Sequence, residues 1–269
     1  MKAFANHLAY DFRSALRDKG RLLMFHLFPL VFFGLCGALM TAVNPFFREA
    51  MLPGMVLFAV MSASLLVAPS ALVHARENGV FRSFRINGVP SASILAIPVI
   101  GTALHVVAVA TVISLAGAWV FGGRAPTSVV GFAAAGLLSY AAYAGIGVLI
   151  GVAADRDSSA ILIAQLVFIP SMLLGGLMVP ERILPPGLHR IALLLPATHC
   201  MRVFAGLGGA GGAEAPWSSL AVLGSSVVLS FGLAMALFEW DSRSNRPSPK
   251  TYAAFLGIAP YAVAALVGA

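Results

Sequence analysis

The sequence predicts an all-α polytopic membrane protein in which residues 1–269 form a single transmembrane domain. Hydrophobic residues make up 59% of the chain, charged residues only 10%, and the mean hydropathy is +0.93. A soluble globular protein carries about 25% charged residues, because its surface must be solvated. The apolar residues also form runs of about 20 residues, the length of helix that crosses the hydrocarbon core of a bilayer.

Six apolar runs are long enough to span the membrane as helices. They are residues 22–43, 52–74, 94–121, 128–153, 159–179 and 218–238. A seventh run, residues 252–267, would be about 24 Å long as a helix. We interpret it as a candidate short span, which crosses a thin region of the bilayer or lies partly in the interface.

The positive charges predict the orientation of these spans. With the N-terminus in the cytoplasm, 12 of the 17 Lys and Arg residues fall on the cytoplasmic side and 5 on the outer side. Cytoplasmic loops of membrane proteins are enriched in these residues. We therefore expect a multi-pass protein of the cell membrane with its N-terminus in the cytoplasm. The net charge of +7 is spread over short loops without an aromatic platform, so nucleic acid is not an expected partner.

The N-terminal segment, residues 1–20, has the pattern of an amphipathic helix. Apolar residues recur every four positions, at Phe4, Leu8, Phe12 and Leu16. Arg13 and Arg17 lie beside them. Such a helix lies on the inner membrane face with its cations near anionic headgroups, and so contacts membrane lipid. A simple topology anchor is the alternative interpretation.

The loop between the second and third predicted spans, residues 75–93, contains a short amphipathic helix. Counted at 100° per residue, Val80, Phe84 and Phe81 lie on an apolar edge beside Arg85 and Arg82. A glycine precedes this stretch and an Asn-Gly pair follows it, as expected at helix ends. A projecting helix of this kind suits a cleft on a soluble partner. The alternative is that the arginines only set the topology and the phenylalanines rest on lipid.

Residues 180–217 predict a second elaborate segment, on the outer side. Leu188, Ile191, Ala192 and Leu195 follow helical spacing between prolines, and a second short helix is predicted over residues 198–204. Neither helix can span the bilayer, so we expect both to be re-entrant or interfacial. The glycines at positions 206, 208, 209, 211 and 212 predict a flexible linker after them.

The predicted spans lack the groups that drive chemistry or ion coupling. They contain no Asp, Glu, Lys or Arg, and the chain has no GxxxxGK[ST] phosphate loop, no HExxH and no GxSxG motif. His26 and His105 lie within spans and are interpreted as packing residues, with a proton relay as the alternative. No metal site or catalytic residue is predicted. Active transport by this chain would draw its energy from another polypeptide.

Two motifs and the layout between them resemble a known family, the permease subunits of type-2 ABC exporters. Residues 76–79 (Arg-Glu-Asn-Gly) resemble the start of that family's coupling helix, and residues 196–199 (Pro-Ala-Thr-His) resemble its Pro-x-Thr-His before the sixth span. Gly175, Gly176, Pro180 and the Leu184-Pro185 pair fall where the family leaves its fifth span.

The resemblance implies roles for particular residues. The expected ATPase-coupling residues are Arg76, Glu77, Phe81, Arg82, Phe84 and Arg85, with Arg13 and Arg17 beside them. The expected substrate path is lined by Ser62, Ser64, Gln165, Ser171 and Met172. The expected outer gate contains Pro180, Pro196, Thr198 and His199. Two features depart from the family pattern: the run 252–267, and Ala205 where a basic residue is usual, with Arg202 nearer.

The resemblance also implies an assembly. Two permease copies, expected to form a homodimer, would work with separate ATP-binding subunits that hold ATP and magnesium, and this chain itself would need no cofactor. The expected function is outward transport of an amphipathic or hydrophobic drug, lipid or peptide. The alternatives are a secondary or passive carrier, or a membrane scaffold or accessory enzyme that transports nothing.

Overall fold

The computed structural model describes residues 2–43, 47–209, 216–240 and 252–267, and its regular structure is entirely helical. Six helices are long and apolar enough to cross a membrane, which confirms the predicted fold class. The helices are α1 (Lys2–Arg17), α2 (Lys19–Val43), α3 (Phe47–Glu77), α4 (Val80–Ile86), α5 (Ser91–Val120), α6 (Val129–Ala153), α7 (Asp157–Leu174), α8 (Pro186–Ala192), α9 (Pro196–Gly208), α10 (Trp217–Leu237) and α11 (Ala253–Val267). The six spans are α2, α3, α5, α6, α7 and α10.

An N-cap separates the amphipathic helix α1 from the first span, α2. The side chain of Asp18 accepts hydrogen bonds from the backbone N–H groups of Gly20 and Arg21, at 3.0 and 3.1 Å. These N–H groups would otherwise have no partner at the start of α2. The chain therefore ends the amphipathic helix at Arg17 and starts the apolar one two residues later.

Two spans contain a short π-helical turn, and a proline explains each. The turn at Ser62–Val67 lies before Pro69, and the turn at Leu23–Leu27 lies before Pro29. Proline has no N–H to donate to the carbonyl four residues earlier, so the hydrogen-bond ladder can widen before that position. Hydropathy alone does not show such a local change.

Helices α3 and α6 form the centre of the bundle. In each of them 72% of the most apolar window is buried, against 22–28% in α2, α5, α7 and α10. Close approach is possible because α6 carries glycines where it meets α3: a Cβ atom on Gly147 would lie 2.0 Å from the carbonyl oxygen of Ser64. Small residues at such contacts let helix backbones pack closely in membranes.

The connections lie on two sides of the bundle. The proximal side is defined here by residues 78–90, 154–156 and 238–240, and the distal side by residues 121–128 and 175–209. On the distal side the backbone N–H of Arg124 donates to the carbonyl of Arg48 at 3.1 Å, and that of Thr127 donates to the carbonyl of Gly208 at 2.9 Å. These bonds join the ends of neighbouring helices.

Several observed boundaries differ from the predicted ones. Helix α7 ends at Leu174, five residues before the predicted end, because Gly175 and Gly176 follow and Gly176 has a φ of +90°. Two of the glycines assigned to a linker, at positions 206 and 208, lie inside α9, and Gly209 ends that helix with a φ of +72°. The glycines at 211 and 212 lie outside the described residues.

The C-terminal run packs against the bundle through one face, with Tyr261 and Ala264 buried. Helix α11 begins as a 3₁₀ turn at Ala253–Ile258 and lies along α10, where Tyr261 donates a hydrogen bond to Ser226 Oγ at 2.8 Å. Tyr261 is buried, and a Cβ on Gly257 would lie 2.8 Å from the side chain of Leu149 in α6. This segment is shorter than the six spans, and whether it crosses the bilayer stays a prediction.

Candidate functional site

The short helix α4 projects from the proximal side between two sharp reversals of the chain. Gly79 precedes it with a φ of +70°, and Gly88 follows it with a φ of +69°. These left-handed conformations suit glycine. The side-chain amide of Asn87 donates to the carbonyl of Ser83 at 2.8 Å and completes the last turn. The predicted helix in this loop is therefore present, with fixed ends.

Phe81 attaches α4 to the membrane bundle. Its side chain is only 4% exposed and packs in a cluster with Leu72, Leu95 and Val152. Its ring centroid lies 5.3 Å from that of Phe238, after the end of α10. The expected coupling role for Phe81 assumed a ring that enters a partner, whereas this ring is occupied within its own chain. Phe84 is half-buried against the same cluster.

The face of α4 that points away from this cluster is exposed and carries Arg82 and Ile86, and Arg85 and Val80 at its edges are exposed as well. Ile86, at the end of this short helix, is 80% exposed. The guanidinium of Arg85 lies 6.0 Å from the ring centre of Trp240, within cation–π range. Sequence reasoning did not select Ile86. Counted at 100° per residue from Val80, Ile86 lies at 240° and Arg82 at 200°, so helical spacing could have placed Ile86 beside an arginine.

Arg76 lies at the end of α3 and binds the end of α6. Its guanidinium is 4% exposed and donates to the carbonyl oxygens of Val152, at 3.2 Å, and Ala154. These carbonyls belong to the last turn of α6, where the helix dipole favours a cation and no intrahelical donor is available. Arg76 thus joins the two central helices, while its neighbour Glu77 is exposed.

An aromatic stack contributes to the packing of helix α1 on α5. The ring of Phe12 stacks on His105 with centroids 4.9 Å apart, and Phe25 stacks on the other face at 5.1 Å. Arg13 and Arg17 of α1 are exposed. The rings of His26 and His105, which were interpreted from the sequence as packing residues, lie 5.1 Å apart.

The residues expected to line the substrate path do not share one space. Ser62 and Ser64 lie in the π turn of α3, and Ser62 donates to the carbonyl of Ala59 at 3.0 Å. Ser171 is fully buried in α7, whereas Gln165 and Met172 are half-buried. A cavity of about 590 Å³ opens among α1, α2, α3, α4, α5 and α6, and of these five residues only Ser64 lines it.

The Pro-Ala-Thr-His motif closes a sharp bend on the distal side. Helix α9 begins at Pro196 and makes an angle of 88° with α8. Thr198 donates to the carbonyl of Ala192 at 2.6 Å, and His199 Nε2 lies 3.0 Å from the carbonyl of Leu193. Both side chains therefore satisfy carbonyls at the end of α8, which have no partner in that helix.

The hydrogen bonds of His199 also define its tautomer. A carbonyl only accepts, so Nε2 carries the proton, and Nδ1 accepts from the hydroxyl of Ser219 in α10 at 3.2 Å. The ring of Tyr261 in α11 lies 5.8 Å away. His199 thus connects the bent pair of helices α8 and α9 to two neighbouring helices. Thr198 and His199 are buried, so these two of the four expected gate residues lie inside the packed distal side.

An ion cluster supports the same segment. Pro180 precedes a 3₁₀ turn at Glu181–Ile183, and Arg202 donates from Nε and Nη2 to the two carboxylate oxygens of Glu181, at 3.1 and 2.6 Å. His189 Nε2 lies 2.9 Å from the same carboxylate. Arg202 provides the basic side chain here, whereas position 205 carries alanine. Within the described ranges, no group of three or more His, Cys, Asp or Glu side chains could hold a metal ion.

Comparison with known proteins assigns the family. A family model described as ABC-2 type transporter matches residues 4–207, which include α1, the α4 loop and the Pro-Ala-Thr-His motif. No curated protein and no solved structure matches the chain. The match covers well over half of the sequence, in agreement with the six apolar spans. The chain therefore belongs to the ABC-2 type transporter family, as a multi-pass membrane component of an ABC transporter.

Proposed function

We propose that this chain is the permease subunit of an ATP-driven exporter and that a separate ATP-binding subunit docks on α4. The observation that carries this proposal is the exposed face of α4, where Ile86 lies beside Arg82 on a helix that is anchored to the bundle from its other face. Membrane components of ABC transporters do not hydrolyse ATP, which fits a non-enzymatic subunit.

The chemistry of this face suits a protein cleft. Full burial of an isoleucine side chain contributes about 1.5–3 kcal/mol. Arginines at the rim of an apolar contact direct association with carboxylates and set the register of the partner. Ile86 beside Arg82 thus offers an apolar contact with a charged rim, the combination that such a cleft would bind.

The anchoring of α4 supports transmission of force into the spans. A partner that pushes on Ile86 acts on Phe81, which packs against α3, α5, α6 and the end of α10. The same movement would act on Arg76, which donates a hydrogen bond to the carbonyl of Val152 at the end of α6. Docking of a partner would thus act directly on α3 and α6, the two central helices. The π turn at Ser62–Val67 is a local break in α3 at which such a movement can be absorbed.

The rest of the assembly follows from the same proposal. The proximal side faces the cytoplasm, since most Lys and Arg residues lie there, and the chain resides in the cell membrane. A second permease copy completes the substrate path, which is lined by Ser62, Ser64, Gln165, Ser171 and Met172. The outer gate is formed by the distal bend, with Pro180, Pro196, Thr198 and His199. ATP and magnesium are held by the partner, and the substrate is an amphipathic or hydrophobic drug, lipid or peptide that leaves the cell.

The test is co-purification of the permease with an ATPase from the source membranes in mild detergent. Wild type is expected to bring an ATP-hydrolysing polypeptide in near-equal amount, and Ile86→Asp is expected to lose it while the permease stays monodisperse. Val129→Asp is the matched control, because Val129 is a similarly exposed apolar residue on the distal side. A permease that carries no ATPase, or an Ile86→Asp variant that retains it, would contradict the proposal and favour a carrier or a scaffold.

A further inference from the structure

We propose that Trp240 is a positioning residue that holds α4 in the orientation in which the ATP-binding subunit docks. Trp240 belongs to a short tail after α10, defined here as residues 238–240. This tail lies outside residues 4–207, which the family model matches, so the family assignment does not describe it. Because docking on α4 is itself the proposed function, the inference rests on that function.

The end of α10 directs this tail towards α4. Helix α10 ends at Leu237, which is buried in the cluster that also holds Phe81. At Phe238 the backbone is extended, with a φ of −62° and a ψ of 127°, so the chain leaves the axis of α10 there. Phe238 and Trp240 both pack against the same cluster. The tail therefore lies against the side of α4 that faces the bundle.

The tail contacts two successive turns of α4. The ring centroid of Phe238 lies 5.3 Å from that of Phe81, and the ring of Trp240 lies 6.0 Å from the guanidinium carbon of Arg85. Phe81 and Arg85 are four residues apart, so they lie on the same side of the helix. Since α4 has only seven residues, these contacts extend along most of it. Its tilt and its rotation cannot change without the loss of one of them.

The orientation of α4 decides where Ile86 points. Ile86 directly follows Arg85, about 100° further round the helix, and is 80% exposed. A rotation of α4 about its axis would turn Ile86 towards the bundle or the membrane surface, and a tilt would change its height above the bundle. By fixing both, the tail keeps Ile86 accessible to a partner.

Trp240 also restricts the side chain of Arg85. An arginine has high rotamer freedom, which is lost when a partner fixes its guanidinium. Tryptophan offers the best aromatic face for such a cation. The ring of Phe238 meets that of Trp240 edge to face, with centroids 5.3 Å apart and planes at 83°, and so supports the indole. Because Arg85 is restricted before docking, less entropy is lost when the partner binds.

A tryptophan that follows a membrane span has another common role. Such residues are enriched at membrane–water interfaces, where they anchor the ends of helices. Trp240 is half-buried, and an anchoring role would not depend on the side chain of Arg85. A double-mutant cycle between Trp240 and Arg85 therefore separates anchoring in the interface from positioning of α4.

The first experiment needs no partner and measures amide hydrogen exchange over residues 83–87 in the full-length permease in nanodiscs. Trp240→Leu, which keeps apolar bulk, is expected to raise the exchange rate about two- to fivefold, the effect of one exposed cation–π contact. Trp240→Phe should recover most of the protection. Arg85→Ala should match Trp240→Leu, and the double variant should show no further increase. Trp119→Leu, which replaces an exposed tryptophan at the distal end of α5, is the matched control and should exchange as wild type.

The second experiment measures the ATPase that the permease retains after purification in mild detergent. Trp240→Leu is expected to lower retention about two- to fivefold, but to have no further effect when Arg85 is already alanine. The effects of Trp240→Leu and Arg82→Ala should instead multiply, because Arg82 does not act through the tail.

Three results would overturn the proposal: wild-type retention of the ATPase in Trp240→Leu, wild-type exchange in Arg85→Ala, or an equal effect of Trp240→Leu with and without Arg85. A wild-type permease that retains no ATPase would instead refute the proposed docking on α4. The exchange over residues 83–87 would then still show whether Trp240 holds α4 through Arg85.

Discussion

The guanidinium of Arg76 donates to the carbonyl oxygen of Val152 across a sequence separation of 76 residues, and to that of Ala154 beside it. This contact joins the proximal ends of α3 and α6, the two helices that the other spans surround. The first residue of the Arg-Glu-Asn-Gly motif therefore acts inside the chain itself, one turn before α4 begins.

Arg76→Ala is expected to destabilise the permease by about 3 kcal/mol, because it leaves buried carbonyls without a donor. Arg76→Lys should recover only part of this loss, since one ammonium group lacks the planar fork that reaches two carbonyls. The measurement is the thermal unfolding temperature in detergent, with exposed Arg82→Ala as the control. An Arg76→Ala protein as stable as wild type would show that the contact contributes nothing.

Phe81 and Ile86 are expected to separate stability from docking. Phe81→Ala removes a buried ring and should cost about 3–5 kcal/mol of stability, whereas Ile86→Ala should leave the unfolding temperature unchanged. Conversely, Ile86→Ala should weaken association with the ATP-binding subunit. The two readouts are unfolding temperature and ATPase retained on the purified permease. If Ile86→Ala destabilised the protein as much as Phe81→Ala, Ile86 would have to be a packing residue.

Gly147 is expected to tolerate no side chain. A Cβ at this position would lie 2.0 Å from the backbone oxygen of Ser64, so Gly147→Ala must push α6 away from α3 and should cost about 1–3 kcal/mol. Gly224→Ala on α10 is the matched control, because nothing lies within 4 Å of a Cβ there. Equal unfolding temperatures for the two variants would refute the close packing of α3 and α6.

Glu181 and Arg202 are expected to act as a coupled pair on the distal side. Their two hydrogen bonds form a fork geometry that is partly buried, and such a pair contributes about 1 kcal/mol. In a double-mutant cycle, Glu181→Ala and Arg202→Ala should therefore lower the unfolding temperature by less together than the sum of their separate effects. Strict additivity would mean that the ion pair does not stabilise the re-entrant segment.

The fold was largely predictable because the bilayer imposes a length on apolar runs. The six predicted spans correspond to α2, α3, α5, α6, α7 and α10, with ends that differ by a few residues. Proline and glycine positions also predicted the short helices that became α4, α8 and α9. The π turns were not predicted, because they depend on how the backbone adjusts before Pro29 and Pro69 rather than on hydropathy.

The candidate site was predictable in position but not in orientation. Helical spacing gives the angles between Phe81, Arg82 and Ile86, but it does not say which of them meets the bundle. That choice depends on the packing of α4 against residues far away in the sequence, such as Val152 and Phe238. The cavity lined by Asp11 and Ser64 was unpredictable for the same reason, since six helices build it.

The most direct test of the docking face of α4 is site-specific photo-crosslinking. Benzoylphenylalanine at position 86 is expected to cross-link to a polypeptide that binds ATP, and the same group at position 129 on the distal side is expected to give no such product. A cross-link to the ATP-binding polypeptide from position 129 but not from position 86, or none from either position in a membrane that transports substrate, would contradict the docking of an ATPase on α4.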